Sequence, residues 1–583
     1  MQTRQNAKVF FRAEPFWSGA KAGINLLKDV KRSAISLTAA GVLALLPPHH
    51  AMAMTDKEQL QMLLGQVKQL KARMDKKDRD EQERRRAETV NARSANVRET
   101  ALTPVAAVAM PRIPDRFVYK GLEIIPGGFL ALESVWRNHW VGADVATPFN
   151  AIPYGFATAG HTDEFHFSAR ATRPALLVRG DLSPTTHIQG YFETDFLGAA
   201  QTANANQSNS YNLRVRQAYT NIDNDDYGLH FTAGQTWSLV TMNSLGTRPD
   251  TSLQPPTIDH NYMPGYVWDR NPGIRIYKDF GKQFWLALAA EGSANTFAAP
   301  GPGFGPVSTL LPNNLGIPAP ALLALATNGG SLNTLDTYSF NRLPDLVGKA
   351  AWDAPLGDRT VHLEAFGVAR EMTERVYFGN HRVWVGGVGA GAIIPIIPKL
   401  LEFQVSGMIG RGVGRLASSQ LPDATYTAFG ALQPLYQRSL LVGATLHPTP
   451  QTDVFAFAGG DIAGKNPQVT AINGTIFAGG YGNPLYNNIG CNLENSISQV
   501  TPGVAAAVPL AALGNPLFNC SGQTHALREI TTGAWHTLYE GPAGKIRVGV
   551  QFAHIIRNGF NAVGGAPRGS ENTILTSFRY FPF

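Results

Sequence analysis

A chain of 583 residues with 59 glycines, 10% aromatic and only 16% charged residues is poor in the surface charge of a soluble multidomain protein and suits one large β-barrel. Its formal charge of +7 misleads, because residues 101–583 hold 31 basic against 32 acidic side chains and offer nothing to a nucleic acid. Past residue 53 no apolar run reaches the roughly 18 residues of a spanning helix, so a membrane crossing would have to be made by strands closed on themselves.

Residues 1–53 read as a secretory signal peptide. Arg4, Lys8, Arg12, Lys21, Lys28, Lys31 and Arg32 form a basic region, 33–46 is apolar, and Ala51-Met52-Ala53 is a small-x-small cleavage site. The next segment, 54–90, has the signals of a helix, with Thr55 as N-cap and Glu58 completing a capping box. Leu60, Leu63, Val67, Leu70 and Met74 alternate steps of three and four, the seam of a short α-helical coiled coil. So short a coiled coil is marginal alone and needs an oligomeric body to hold its helices together. Residues 91–116, with Pro104, Pro111 and Pro114, form a linker.

Residues 117–583 read as a 16-stranded antiparallel transmembrane β-barrel, an all-β fold. Short turns near 181–184, 223–226, 279–281, 355–358, 394–399, 448–450 and 541–544 alternate with longer segments. The longer ones are 137–163, 197–211, 240–272, 292–344, 372–381, 412–437, 461–528 and 558–571. Fifteen connections join sixteen strands, short on one side and long on the other, as in outer-membrane barrels. The strands alternate: Ile546, Val548, Val550 and Phe552 stand against Arg547, Gly549 and Gln551. The last strand runs into Tyr580, Phe581 and Phe583, aromatic residues suited to a membrane interface. These features place the barrel in the outer membrane, with lipid as a partner and the coiled coil in the periplasm.

The polar face then lines a lumen. It brings together Arg170, Arg173 and Arg179 from the second strand, Arg214 and Arg216 from the fourth, and Arg275 from the sixth. Arg370, Arg547, Arg382 and Arg411 join from later strands, and Glu193, Asp195, Glu364 and Glu402 face the same side. Guanidinium stays charged and pairs with carboxylates, so such a lining favours anions. The segment 240–272 is the expected constriction loop, carrying Arg248, Asp250, Asp259, His260, Asp269 and Arg270 with Tyr262 and Trp268. Cys491 and Cys520 share one Asn/Gly/Pro-rich segment and are expected to form a disulfide; no histidine lies at metal-ligand spacing near them.

Four stretches carry a resemblance to a known family. They are Phe-His-Phe-Ser-Ala-Arg-Ala-Thr-Arg at 165–173, Glu-Thr-Asp-Phe-Leu-Gly at 193–198, Leu-Arg-Val-Arg-Gln-Ala-Tyr at 213–219 and Ala-Gly-Gln-Thr-Trp-Ser at 233–238. Together with the leader, short coiled coil and sixteen strands, they resemble the DcaP-like outer-membrane porins. The resemblance implies a homotrimer that admits small negatively charged solutes such as dicarboxylates, with Arg170, Arg173, Arg214 and Arg216 facing the pore. The segments 292–344 and 461–528 are longer than the pattern, and Pro174 follows Arg173 directly.

No catalytic motif and no cofactor motif is present: G-x-S-x-G, H-E-x-x-H, a phosphate loop and C-x-x-C are all missing. Three alternatives stand beside the anion pore. One is a channel for neutral solutes such as sugars, stacked on Trp237, Tyr262 and Trp268. Another is a non-conducting envelope tether or adhesin, and the third is a barrel-embedded hydrolase.

Overall fold

The structure is a computed structural model that describes Lys71 and residues 116–583 except 156, 199–211, 299–324, 330–332, 340, 377–378, 428–430, 473–474 and 495–519. The leader and, Lys71 apart, the expected coiled coil lie outside the described residues. Sixteen antiparallel strands form the barrel. In chain order they are Leu122–Arg137, Arg173–Ser183, Thr186–Gly198, Asn212–Asn224, Leu229–Trp237, Arg270–Phe280, Phe284–Glu291 and Asp345–Leu356. The second half is Arg359–Val376, Gly379–Ile397, Leu401–Arg411, Tyr436–Thr449, Thr452–Ala463, Thr524–Gly541, Gly544–Gly559 and Arg568–Phe581. Each pairs with its neighbour in sequence, and the ring closes where Leu130 meets Tyr580 and Arg137 meets Thr573. Closure leaves no strand edge unpaired. No described helix is long and apolar enough to cross a membrane.

The short turns fall where the sequence places them. Gly228, Gly281 and Gly357 take positive φ of 57°, 66° and 64°, the left-handed backbone that a tight hairpin requires. Three expectations are corrected. Residues 372–381 are not a loop: the ninth and tenth strands run on to pair Val376 with Gly379. Arg170 lies outside the second strand, in the turn between Glu164–Ser168 and Arg173. The longest connections also hold hairpins of their own, Leu325–Gly329 with Asn333–Ser339 and Asn466–Ile472 with Thr475–Tyr481.

Burial follows the pleat. Ile274, Ile276, Leu286, Leu288, Val550 and Phe552 stand exposed on the outer face, while Tyr277, Trp285 and Ala287 between them are buried inside. An exposed apolar outer face is stable only against lipid. At the short-turn end Tyr227, Phe280, Phe284 and Trp352 are exposed aromatics, the composition of a membrane interface.

The inner face is not uniformly polar. Tyr277, Trp285, Val347, Phe366 and Met408 pack against Leu239, Val240 and Val267 of the connection after the fifth strand. Leu441, Phe455, Phe457 and Trp535 pack against its Ile258, Tyr262, Met263 and Tyr266. A third apolar cluster joins Phe149 and Ile152 to Leu421, Leu435, Tyr481 and Phe560 at the long-connection end. Strands six to fourteen are therefore lined by packed loop. The polar wall runs along the contiguous arc of strands fifteen, sixteen and one to four, and takes Asp453 from the thirteenth strand and Trp535 from the fourteenth.

Candidate pore lining and constriction

The connection 238–269 crosses the lumen because strand side chains bind its backbone. Lys349 Nζ donates to Thr241 O at 2.7 Å, Asn243 N to Glu364 Oε2 at 3.0 Å and Gly246 N to Asp353 Oδ2 at 2.9 Å. On the other side Trp535 Nε1 donates to Pro256 O at 2.8 Å, and Asp259 N to Gln551 Oε1 at 3.2 Å. Arg275 donates to Thr247 O at 3.2 Å and Trp237 O at 2.5 Å, which ties the outgoing limb of the loop to the end of the fifth strand. Each contact satisfies a backbone group that an enclosed loop would otherwise leave unpaired.

Opposite the loop stands a row of guanidiniums. Register sets it: Arg547 faces Arg579, Arg579 faces Ala131, and Phe129 of the same strand faces Arg173. Aromatic faces separate the charges. Arg173 and Arg579 lie 5.1 and 4.8 Å from the Phe129 ring, and Arg579 and Arg547 lie 4.6 and 5.3 Å from that of Trp535. Rings so placed fix the guanidinium planes and leave their edges free to bond. The row continues on strands three and four. Arg214 binds Asp195 through Nε at 3.0 Å and Nη2 at 2.7 Å, and Arg216 bridges Glu193 at 2.7 Å and Asp195 at 3.0 Å.

Not every charge is spent within the wall. Arg173 approaches a carboxylate only at 4.0 Å, from Glu193, and its side chain is 21% exposed. Arg547 pairs with Asp453 at 2.6 Å and Arg579 with Glu133 at 2.6 Å, each partly open to the lumen. Arg270, at the loop's return into the sixth strand, lies 5.1 Å from the Trp237 ring and 5.4 Å from that of Trp268. Its buried Nε and Nη1 have no acceptor. Six guanidiniums meet four carboxylates, Glu133, Glu193, Asp195 and Asp453, so two positive charges remain. Arg173, Arg547 and Arg579 border a cavity of about 240 Å³ closed on the other side by residues 254–260 and Tyr262.

Two titratable loop groups face this wall. Burial, then the charges of Arg579, Arg173 and Arg216, hold the His260 imidazole well below its ordinary value. Its Nδ1 lies 3.5 Å from Glu133. Burial pushes the Asp259 carboxyl up, although it accepts from the amides of Thr147 at 3.1 Å and Asn261 at 2.8 Å.

Other residues expected in the pore have structural surroundings. Arg370 is fully buried, with Asp345 at 2.8 Å and Gly412 O at 2.6 Å, and Arg275 and Glu364 are buried beneath the loop. Arg170 binds Asp144. Arg179 is exposed near the short-turn end, in register with Glu123, and Glu402 is half-buried on the inner face. Arg248 binds Asp250 at 3.1 Å and Asp223 at 3.2 Å; Asp269 binds Arg415. Arg382 and Arg411 do not face the lumen. Arg411 shares the exposed outer face with Ile409, and Arg382 lies in phase with exposed Trp384. Cys491 and Cys520 are bonded to each other. The sequence reading missed Arg579, Glu133 and Trp535. Arg579 alternates with the outward Ile574, Thr576 and Phe578, which is the signal that would have found it.

Neither a protein-family model nor any curated protein sequence matches the chain. Among solved structures it is similar to the outer membrane channel DcaP of Acinetobacter baumannii, at 15% identity and a TM-score of 0.51, over 80% of this chain and 99% of that one. The anion-selective porin from Comamonas acidovorans aligns at 12% identity and a TM-score of 0.39, over 79% of this chain and 99% of that one. The resemblance to DcaP-like porins therefore holds at the level of fold, and the chain has the architecture of a sixteen-stranded outer-membrane channel.

Proposed function

We propose that this chain is an outer-membrane porin passing small anionic, dicarboxylate-like solutes between its arginine wall and the inward loop, working as a homotrimer. The observation that carries this reading is the row Arg547, Arg579, Arg173, spaced by aromatic rings and incompletely neutralised, opposite a loop tied across the barrel. A dianion entering that gap meets bonding edges already oriented, and the narrow lumen strengthens each contact. Wall carboxylates keep the row from binding so tightly that a solute cannot leave. The sugar reading is weaker. Trp237, Tyr262 and Trp268 pack against one another at 5.4 to 6.2 Å, and Arg270 covers two of the rings.

The test is a reversal potential across planar bilayers in asymmetric salt. An anion-leaning potential is expected, and Arg173→Glu with Arg547→Glu should reverse its sign. A chain that inserts without conducting would instead be a tether or adhesin. Cation preference in the unaltered protein would overturn the arginine reading.

A further inference from the structure

Lumenal arginines of this barrel have carboxylate partners or aromatic platforms inside it, but a second set points the other way. Arg411 ends the eleventh strand, and Arg438 and Arg528 lie in the first residues of the twelfth and fourteenth, all exposed on the outer face. Their strand neighbours Met408, Gln437 and Glu529 are buried inside, which fixes the direction. Among the described residues, none of the three is in an ion pair or a hydrogen bond. Arg438 lies 5.8 Å from the ring of Tyr436, which is itself in register with Arg411.

Register also fixes their spacing. Arg438 pairs with Ile409, two residues from Arg411, a diagonal of about 7–8 Å. Arg528 pairs with Gly460, two residues from the partner of Arg438, which puts it about 12 Å away across two strands. Directly nearer the membrane centre, Ile409, Leu440 and Ile530 are exposed by 41, 55 and 67%. The three guanidiniums therefore form a cationic cluster above an apolar field, at the ends of strands that carry long connections. In a barrel of this kind those ends face the outer leaflet.

We infer that this face is a binding site for the phosphorylated glycolipid of the outer leaflet. Its phosphates would meet Arg411, Arg438 and Arg528, and its acyl chains would lie along Leu440 and Ile530. Guanidinium is a bidentate phosphate ligand, and an unpaired one beside hydrocarbon is unfavourable until an anion reaches it. Gly460, in register with both Leu440 and Arg528, places no side chain between them on the outer face. The inference rests on the outer-membrane placement proposed above and concerns the opposite face of the wall from the pore.

The experiment uses the full chain, extracted as its native oligomer and depleted of lipid, with bisphosphorylated lipid A as the probe and native mass spectrometry as the readout. Wild type should bind lipid A at least tenfold more tightly than the triple variant R411Q/R438Q/R528Q. R411K/R438K/R528K should retain most of the binding, and Lys278→Gln, outward at the other end, should not change it. Lipid A stripped of both phosphates should bind wild type no better than the triple Gln variant. Equal binding to the triple Gln variant overturns the inference, as does phosphatidylglycerol binding as tightly as lipid A. So does an oligomer that falls apart in the triple Gln variant while keeping its lipid, since the arginines would then face a second subunit. Reversal potentials on the same preparation separate the two readings, because selectivity can fail with lipid binding intact and the converse.

Discussion

At the scale of single residues, the wall separates charges that hold structure from charges left open to the lumen. Glu133 is fully buried and its Oε1 is bound by Arg579 and by Ser577 at 3.1 Å. Replacing Arg579 with Gln strands that carboxylate, at a cost of about 3–5 kcal/mol. The thermal midpoint should drop, and the double variant E133Q/R579Q should recover most of it. Arg173, with its single carboxylate contact at 4.0 Å, is the contrasting case. Arg173→Gln should leave the stability within about 0.5 kcal/mol of wild type and still shift the reversal potential toward zero. His260 adds a pH dependence. A docked imidazole held below the ordinary value of about 6.5 binds fewer protons than a free one, so docking weakens as pH falls through that value. Open-channel noise should rise between pH 7.5 and 5.5 in wild type and stay flat in His260→Asn. Asp259 opposes the trend, since its raised carboxyl takes up a proton more readily when docked.

At the scale of elements, strand glycines decide where the aromatic platforms lie. Gly549 is in register with Trp535, Gly443 with Phe457, Gly533 with Phe455 and Gly389 with Phe366. At each pair the ring lies flat across the neighbouring strand in space that a Cβ would occupy. A Cβ on Gly549 would stand 2.7 Å from the Trp535 ring, the same ring that supports Arg547 and Arg579. Gly549→Val should cost about 1–3 kcal/mol of stability and shift the Trp535 emission, with anion preference falling as its platform tilts. Such pairs also show what sequence could reveal. Turn residues and alternation are local, so the strand count and the order of the connections were legible from them, the length of the one at 372–381 excepted. Arg382 was misplaced because the ninth and tenth strands extend through 372–381, and a face cannot be read where a strand is taken for a loop; Arg411, in phase with the outward Ile409, was readable from alternation and was misassigned. Arg370 and Glu364 were taken as lining because alternation distinguishes inward from outward and does not distinguish a wet interior from one filled by a loop.

At the scale of the whole molecule, one loop turns a wide cylinder into a half-filled one. Its apolar residues make strands six to fourteen a packed core, and the open lumen is left to the arc that carries the arginines. Nothing in the local sequence of 240–272 announces that division, which depends on partners more than a hundred residues away, such as Asp353 and Gln551. The loop's return limb depends on one residue. Gly265 has φ +93°, and a Cβ there would stand 2.0 Å from Leu440 O and 2.7 Å from Gly460 N. Any side chain is excluded twice, by the left-handed backbone and by the twelfth and thirteenth strands. Gly265→Ala should push this limb off the wall toward the arginines or release it from the lumen, lowering the thermal midpoint as Ile258, Tyr262 and Met263 lose their packing while the strand ladders stay intact. Release widens the gap, so single-channel conductance should rise and the reversal potential move toward zero together. If the limb were pushed inward instead, conductance would fall while selectivity held. Only an unchanged conductance would separate the loop from the solute path, and with it the claim that this half-filled lumen is what makes the channel selective.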